Sequence, residues 1–408
     1  MKVTFLSREY PPDTAWGGIA SFYYSLSRAL AQKGHEVHVI CQAVTEPREY
    51  EDGGVFVHRV GTNPKRYSAF ARINYSFHAW VKLRELIRKR NIEIVEATHW
   101  GDEAFLYSLR KSTPLVVRFD TSASDILKTK TYSGLRELLN LKILSILEHF
   151  SVKRAERVIA ISKNLYALAI EKLHLHPEKL DLVHHGIDTN KYRFVSSDVR
   201  KRLGIAQEYS IVLFAGRLEA IKGVYILCQA IPEVIKIRSA SRFVLVGHDT
   251  NTAPSGGSVK AYLDQQAQNH GFSDNLISLD HVCPDELVQL YSACDVFVSA
   301  SLQESFGLTV IEAMACGKPI VATPTGIVPE LQAYGLKGLR LIPVGDAHKL
   351  SGAILSFLSL NDEAVREIAA ENRELVEREF SIDTWTDKII KVFEKALDKG
   401  NSNPVKAQ

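Results

Sequence analysis

Asp295 to Glu330, DVFVSASLQESFGLTVIEAMACGKPIVATPTGIVPE, is the stretch on which the fold turns. It predicts a buried strand over Val296 to Ser299, then a polar loop carrying Glu304. A helix follows from about Gly307 through Glu312, then a second strand over Pro319 to Thr323. A carboxylate therefore stands on each side of a helix start, Phe306-Gly307-Leu308-Thr309, made of small or apolar residues. Free amides and the positive end of the dipole point out of such a start, which suits a phosphate. The flanking carboxylates suit hydroxyl groups. A sugar nucleotide has both.

Outward from this stretch, short apolar runs alternate with helical ones. Strands are expected at Lys2 to Leu6, Val37 to Cys41, Ile94 to Ala97, Leu115 to Phe119 and Val158 to Ile161. A helix over Gly18 to Lys33 carries the stripe Ile19, Phe22, Tyr23, Leu26, Leu30. The pattern restarts at Ser210 to Ala215, Arg242 to Gly247, Val296 to Ser299 and Pro319 to Thr323. Such alternation implies an α/β fold with parallel sheets covered on both faces. A polar, turn-rich stretch, DLVHHGIDTNKYRF, places the domain boundary near 190. The expectation is two doubly wound Rossmann-like domains, 1–190 and 191–383, facing each other across a cleft lined by strand ends. The segment Thr252 to Ser258, TAPSGGS, reads as a flexible loop and a candidate lid, and residues 398–408 as a disordered tail.

Composition sets the class. The 408 residues are 46% apolar and 24% charged, a soluble globular make-up too long for one ordinary domain. Five scattered cysteines form no CxxC pair and read as reduced thiols of a cytosolic protein. The N-terminus does not read as a signal peptide, and no apolar run approaches the ~18 residues of a membrane span. The net charge of +3 hides an asymmetry: residues 1–190 carry 27 Lys+Arg against 21 Asp+Glu, and the rest 23 against 26. The basic half suits an anionic partner or an acidic membrane surface. Ordinary solvated helix faces such as Lys82 to Arg90, KLRELIRKR, account for it more simply.

Four constellations carry candidate chemistry. In Gly216-Arg217-Leu218-Glu219-Ala220-Ile221-Lys222-Gly223 two cations follow a strand, suited to clamping a diphosphate. Two surface cations are the plain alternative. Glu304 and Glu312 would lie roughly 12 Å apart on a continuous helix. That exceeds the ~5–9.5 Å of paired glycosidase carboxylates, so they read as separate hydroxyl acceptors. Gly17 and Gly18, before the first helix, allow close approach to a phosphate or sugar, or simply form a turn. Asp120, at a strand's carboxyl end, is a base or orienting group, or a helix or turn cap. His99 and Trp100 end the preceding strand in the same way and are candidate acceptor contacts. No His, Cys, Asp and Glu spacing fits a zinc site.

Together these residues resemble the family 4 glycosyltransferases, retaining enzymes of the GT-B fold. The likeness spans the opening strand and Gly-Gly loop, His185-Gly186-Ile187-Asp188, the GR-x4-KG run and the E-x7-E of ESFGLTVIEAMACGKPIVAT. It implies a metal-independent hexosyltransferase using a nucleotide-diphosphate sugar. By resemblance, Arg217 and Lys222 bind the diphosphate and stand in for a metal. Glu304 and the amides of Phe306, Gly307, Leu308 and Thr309 hold the donor sugar and phosphate, and Glu312 the ribose. The base lies near Val282, Gly17 and Gly18 approach the donor, and a helix from Thr384 to Leu397 crosses back to the first domain. The expected acceptor is a saccharide, lipid-linked or small-molecule hydroxyl, with peripheral membrane contact through the basic domain. Nucleic acid is not an expected partner, and no cofactor beyond the donor is expected. A sugar-nucleotide epimerase and a degenerate glycan-binding protein are the competing readings.

Two positions depart from that pattern. Asp120 stands where many members carry His, and an anionic carboxylate orients an acceptor without donating to it. Ile327, in Thr325-Gly326-Ile327-Val328-Pro329-Glu330, occupies the second place of a Gly-Gly turn. Backbone approach to the donor is expected to be restricted or indirect there.

Overall fold

The computed structural model describes residues 1–14, 18–62, 69–120, 139, 142 and 149–401. It divides into two compact units, Met1–Gly186 with Ile382–Gln408, and Ile187–Ser381.

The first unit holds β1 (Lys2–Leu6), β2 (Glu36–Ala43), β3 (Arg48–Asp52), β4 (Val55–Thr62), β5 (Ile94–Thr98), β6 (Leu115–Phe119), β7 (Arg157–Ala160) and β8 (Leu180–Leu182). They form one sheet in the order β3-β4-β2-β1-β5-β6-β7-β8. Every neighbouring pair is parallel except β3 with β4. That antiparallel hairpin corrects the all-parallel expectation. Asp52-Gly53-Gly54 turns it, with positive φ at both glycines. The strand order reverses between β1 and β5, and ligands of open α/β sheets bind at the carboxyl ends beside such a switch.

The helix Gly18–Gln32 after β1 buries Phe22, Tyr23, Leu26 and Leu30. Against them packs the closing helix Ile382–Asn401, through Trp385, Ile389, Val392, Phe393 and Ala396. Each large apolar side chain buried there stabilises the unit by about 1.5–3 kcal/mol. The helix runs to Asn401, past the Leu397 expected as its end. Residues 402–408 of the expected tail lie outside the described residues.

The second unit holds β9 (Ser210–Ala215), β10 (Ser241–Val246), β11 (Leu276–Leu279), β12 (Val296–Ser299), β13 (Ile320–Ala322) and β14 (Leu339–Leu341). The order is β11-β10-β9-β12-β13-β14, parallel throughout. Here the switch falls between β9 and β12. The segment 252–258 is not the open loop expected. Thr252 and Gly257 form a bridge, Gly256 N–H donates to the Ala253 carbonyl at 2.8 Å, and Ala253 is buried. Asp249 holds its far end, accepting from Ser258 Oγ at 2.6 Å and Lys260 N–H at 2.9 Å.

Candidate active site

Both loops at the second unit's switch point are pinned by glycines. An ideal Cβ on Gly223 (φ 73°) would fall 1.9 Å from the Ala300 carbonyl oxygen. Only glycine lets the turn after β9 lie against the strand end of β12. Leu302 N–H donates to the Ile221 carbonyl at 2.8 Å across the same junction. A Cβ on Gly247 would likewise meet the Gly216 carbonyl at 1.9 Å. The loop bearing Arg217 is thereby held against the end of β10, where Leu218 N–H donates to the His248 carbonyl at 2.9 Å.

The result is a direct pairing. Lys222 Nζ lies 2.9 Å from Glu304 Oε1 and 2.5 Å from Oε2, with both side chains mostly shielded from solvent. Arg217 Nη2 sits 2.8 Å from Glu219 Oε1, but the Arg217 side chain is 63% exposed. Each cation of the expected clamp already has a carboxylate, because the loops that bring cations to the strand ends also bring Glu219 and Glu304. Only the Arg217 end of that pair is exposed; the Glu219 side chain is 13% exposed. The shielded Lys222–Glu304 pair is the fixed element.

Beyond Glu304 the helix Leu308–Ala315 begins with Gly307 in the left-handed region (φ 96°) and no side-chain cap. Its first amides, at Leu308 and Thr309, are not occupied by a capping side chain and face the start expected to take a phosphate. The turn at Thr325 supports this loop from behind. A Cβ on Gly326 would meet the Phe306 carbonyl oxygen at 2.3 Å, and Ile327 N–H donates to that oxygen at 2.7 Å. The Ile327 side chain is fully buried. Its departure from the Gly-Gly pattern is thus absorbed by the core, and the turn's contact is with the loop of Glu304.

Glu312 is on the same helix but is not an unengaged acceptor. Tyr291 Oη donates to its Oε2 at 2.8 Å, and the Tyr192 phenol also bonds it. Burial pushes the Glu312 carboxyl up, and the two phenols act against that shift. Neither tyrosine was singled out from the sequence; nothing in their spacing announces them. A second missed feature is a histidine stack. His248 and His281 each follow a strand end by two residues, on neighbours registered Val246↔Leu279. Their rings lie 4.6 Å apart and 7° from parallel, immediately before the half-buried Val282. That equal offset was a usable signal.

In the first unit Asp120 follows β6 and is buried, accepting from Thr98 Oγ1 at 2.9 Å. Burial pushes its carboxyl up to about 6, opposed by the Arg118 charge and the Thr98 hydroxyl. Arg118 is itself spent on Glu96, with Nε at 2.9 Å and Nη2 at 2.5 Å from Oε1, both side chains buried. The His99 ring is fully buried, edge-on against Phe119 at 4.8 Å. Trp100 is half-buried with the Arg72 guanidinium 4.9 Å over its ring. Gly18 opens the first helix with nothing within 4 Å of an added Cβ. Gly17 lies outside the described residues. Among the described residues no group of His, Cys, Asp and Glu is arranged to hold a metal ion. No helix there is long and apolar enough to cross a membrane.

Residues 16–191 match the family model described as Glycosyltransferase Family 4, and residues 195–375 that of the glycosyl transferases group 1. The chain belongs to the family 4 glycosyltransferases. This glycosyltransferase is 24% identical to an uncharacterized glycosyltransferase of Methanocaldococcus jannaschii, over 98% of this chain and 99% of that one. It is 27% identical to a D-inositol 3-phosphate glycosyltransferase of Segniliparus rotundus, over 96% and 87%. Its fold is GT-B, two Rossmann-like α/β domains. The sucrose-phosphate synthase of Thermosynechococcus elongatus superposes with a TM-score of 0.82 at 19% identity, covering 98% and 99% of the chains. Anabaena HepE, solved with UDP-glucose, gives 0.74 at 22% identity, covering 97% and 99%. The glycosyltransferase is therefore a transferase enzyme of this class.

Proposed function

We propose that the enzyme moves a hexose-type sugar, with retention, from a nucleotide-diphosphate sugar to a saccharide, lipid-linked or small-molecule hydroxyl, without a bound metal. The observation that carries this reading is Lys222 bridging both oxygens of Glu304 beside the uncapped helix start at Gly307. In such a site Glu304 accepts hydrogen bonds from the donor sugar, and the amides of Leu308 and Thr309 take the phosphate. The ammonium of Lys222 and a guanidinium released from Glu219 stabilise the diphosphate as it departs. That is the work a divalent cation otherwise does. Solved relatives hold UDP and UDP-glucose, which supports a nucleotide-sugar donor.

In this reading the bond from the anomeric carbon to the diphosphate oxygen breaks, and the acceptor oxygen bonds to the same face. The acceptor proton passes to a phosphate oxygen, so no protein nucleophile is required. Asp120 accepts a hydrogen bond from the acceptor hydroxyl. Its pKa of about 6 leaves it ionised at neutral pH. Glu312, held by two phenols, takes the ribose with its remaining lone pairs.

The test is thermal stabilisation by UDP, GDP, ADP, dTDP and CMP, each with EDTA and with magnesium. A ligand at 100 times its dissociation constant adds about 2.7 kcal/mol, a shift of several degrees. One nucleotide should stabilise equally in EDTA, and Arg217→Ala should abolish the shift. Stabilisation that needs magnesium overturns metal independence. With the donor identified, the anomeric configuration of the product decides retention.

A further inference from the structure

The helix Ala69–Arg90 of the first unit leaves one face uncovered. Ile73, Phe77 and Val81, spaced four apart, are 39%, 48% and 50% exposed. On a helix turning ~100° per residue, Trp80, Ile73, Arg84, Phe77, Arg88 and Val81 fall within roughly 100° of arc. The opposite face buries Tyr75, Ala79, Leu83 and Leu86 in the unit. The exposed stripe is therefore not a misplaced core face. It is a second apolar stripe about 12 Å long by helix rise, from Ile73 to Val81, continued by Arg84 and Arg88.

Its surroundings specify the occupant. Phe77 and Trp80 rings lie 6.1 Å apart, and the Arg84 guanidinium sits 5.1 Å over the Trp80 ring. The helix carries six Lys and Arg against one Glu, and its last turn is Arg88, Lys89 and Arg90. Lys89 is paired with Glu85, and no ion pair is recorded for Arg84 or Arg88 among the described residues. A protein partner would need a complementary acidic and apolar groove. An anionic lipid surface supplies both at once: acyl chains for Ile73, Phe77 and Val81, the interfacial zone for Trp80, and phosphates for Arg84 and Arg88.

We infer that this face lies flat on an anionic lipid surface and places the first unit there, where a lipid-linked hydroxyl would be met. The inference sharpens the acceptor class proposed above, yet it depends on none of the donor chemistry.

The test is co-sedimentation of the full chain with vesicles of phosphatidylcholine alone and with added phosphatidylglycerol. Binding should require the anionic lipid and weaken with salt. Phe77→Glu with Val81→Glu should lower the partition coefficient about tenfold or more, and Arg84→Ser with Arg88→Ser should lower it for anionic vesicles only. Brominated acyl chains should quench fluorescence in the parent and not in Trp80→Phe. Failure of the parent to bind, or undiminished binding by both double variants, overturns the inference. So does a concentration-dependent dimer that Phe77→Glu with Val81→Glu dissolves, since a second copy then covers the stripe. Nucleotide-induced stabilisation of the same variants separates the two readings. A variant that keeps that shift and loses vesicles has lost only the surface, and if the glutamate pair unfolds the chain, the serine pair decides.

Discussion

Glu304 and Asp120 are the two carboxylates on which the proposed chemistry rests, and their surroundings are opposite. Glu304 is answered by a full charge, Lys222, at 2.5 and 2.9 Å. Asp120 is answered by a neutral hydroxyl at 2.9 Å, while the nearby Arg118 is committed to Glu96. Pairing holds the first in place. Burial without a partner charge leaves the second a proton acceptor near neutrality, pushed up to about 6. A departing diphosphate needs charge already in place. An acceptor hydroxyl that passes its proton to a phosphate oxygen needs only an ionised carboxylate to accept its hydrogen bond and orient it.

The comparison breaks first at Lys222. Lys222→Ala removes the fixed cation and strands Glu304, so kcat/KM should fall about 10³-fold, or ~4 kcal/mol of transition-state stabilisation. Most of the loss should appear in kcat, read from initial rates of nucleotide release. A change confined to KM would make the pair a binding device and not a catalytic one. Asp120 should matter less and differently. Asp120→Asn keeps the shape and the Thr98 contact but cannot ionise, so activity should drop about 10–100-fold. The parent should lose activity as the pH falls through about 6, where Asp120 takes up its proton. In Asp120→Asn that acidic limb should vanish. If the limb persists, another group sets it.

The same contrast explains what could be read in advance. The E-x7-E segment and the GR-x4-KG run are local: each residue's place follows from strand, turn and helix signals within a few positions. The strands at Lys2–Leu6, Leu115–Phe119, Ser210–Ala215 and Val296–Ser299 stand where their apolar runs put them. Two doubly wound domains followed from that alternation, and the GT-B class from the family resemblance that the motifs carry. What escaped depends on chain distant in sequence. Glu304 meets Lys222 from 82 residues away, and Tyr291 reaches Glu312 across 21. A strand end such as that of His99 looks the same from sequence whether its side chain faces ligand or core. The β3–β4 hairpin was legible and overlooked: Asp52-Gly53-Gly54 is a two-residue turn signal between extended runs.

Tyr291 sharpens the donor side at a smaller scale. Tyr291→Phe removes one donor from the partly buried Glu312 and leaves the ring packed at 5.5 Å from Phe297. Losing a hydrogen bond to a charged group costs about 1.5–3 kcal/mol, so nucleotide affinity should fall roughly ten- to a hundredfold. Calorimetry with the stabilising nucleotide checks this. Unchanged affinity would separate Glu312 from the ribose.

The last effect is on stability and returns to burial of a carboxyl. Glu103, in the first unit, is buried and accepts only the Arg8 backbone N–H at 2.9 Å in the recorded bonds. Burial pushes its carboxyl up to about 8, with Arg8 and Arg72 charges opposing. An unfolded glutamate releases its proton near ~4.3. Between those values the folded chain binds the extra proton, so stability is present at low pH and falls as pH rises toward 8. Glu103→Gln keeps the acceptor for Arg8 and removes the titration. Relative to the parent, the variant should gain about 2 kcal/mol between pH 5 and 7, seen as a midpoint difference that widens with pH in urea unfolding. A constant difference would mean that Glu103 is ionised in the folded chain, and that burial alone does not set the proton affinity of this unit's carboxylates. Asp120 would then need an explanation other than desolvation.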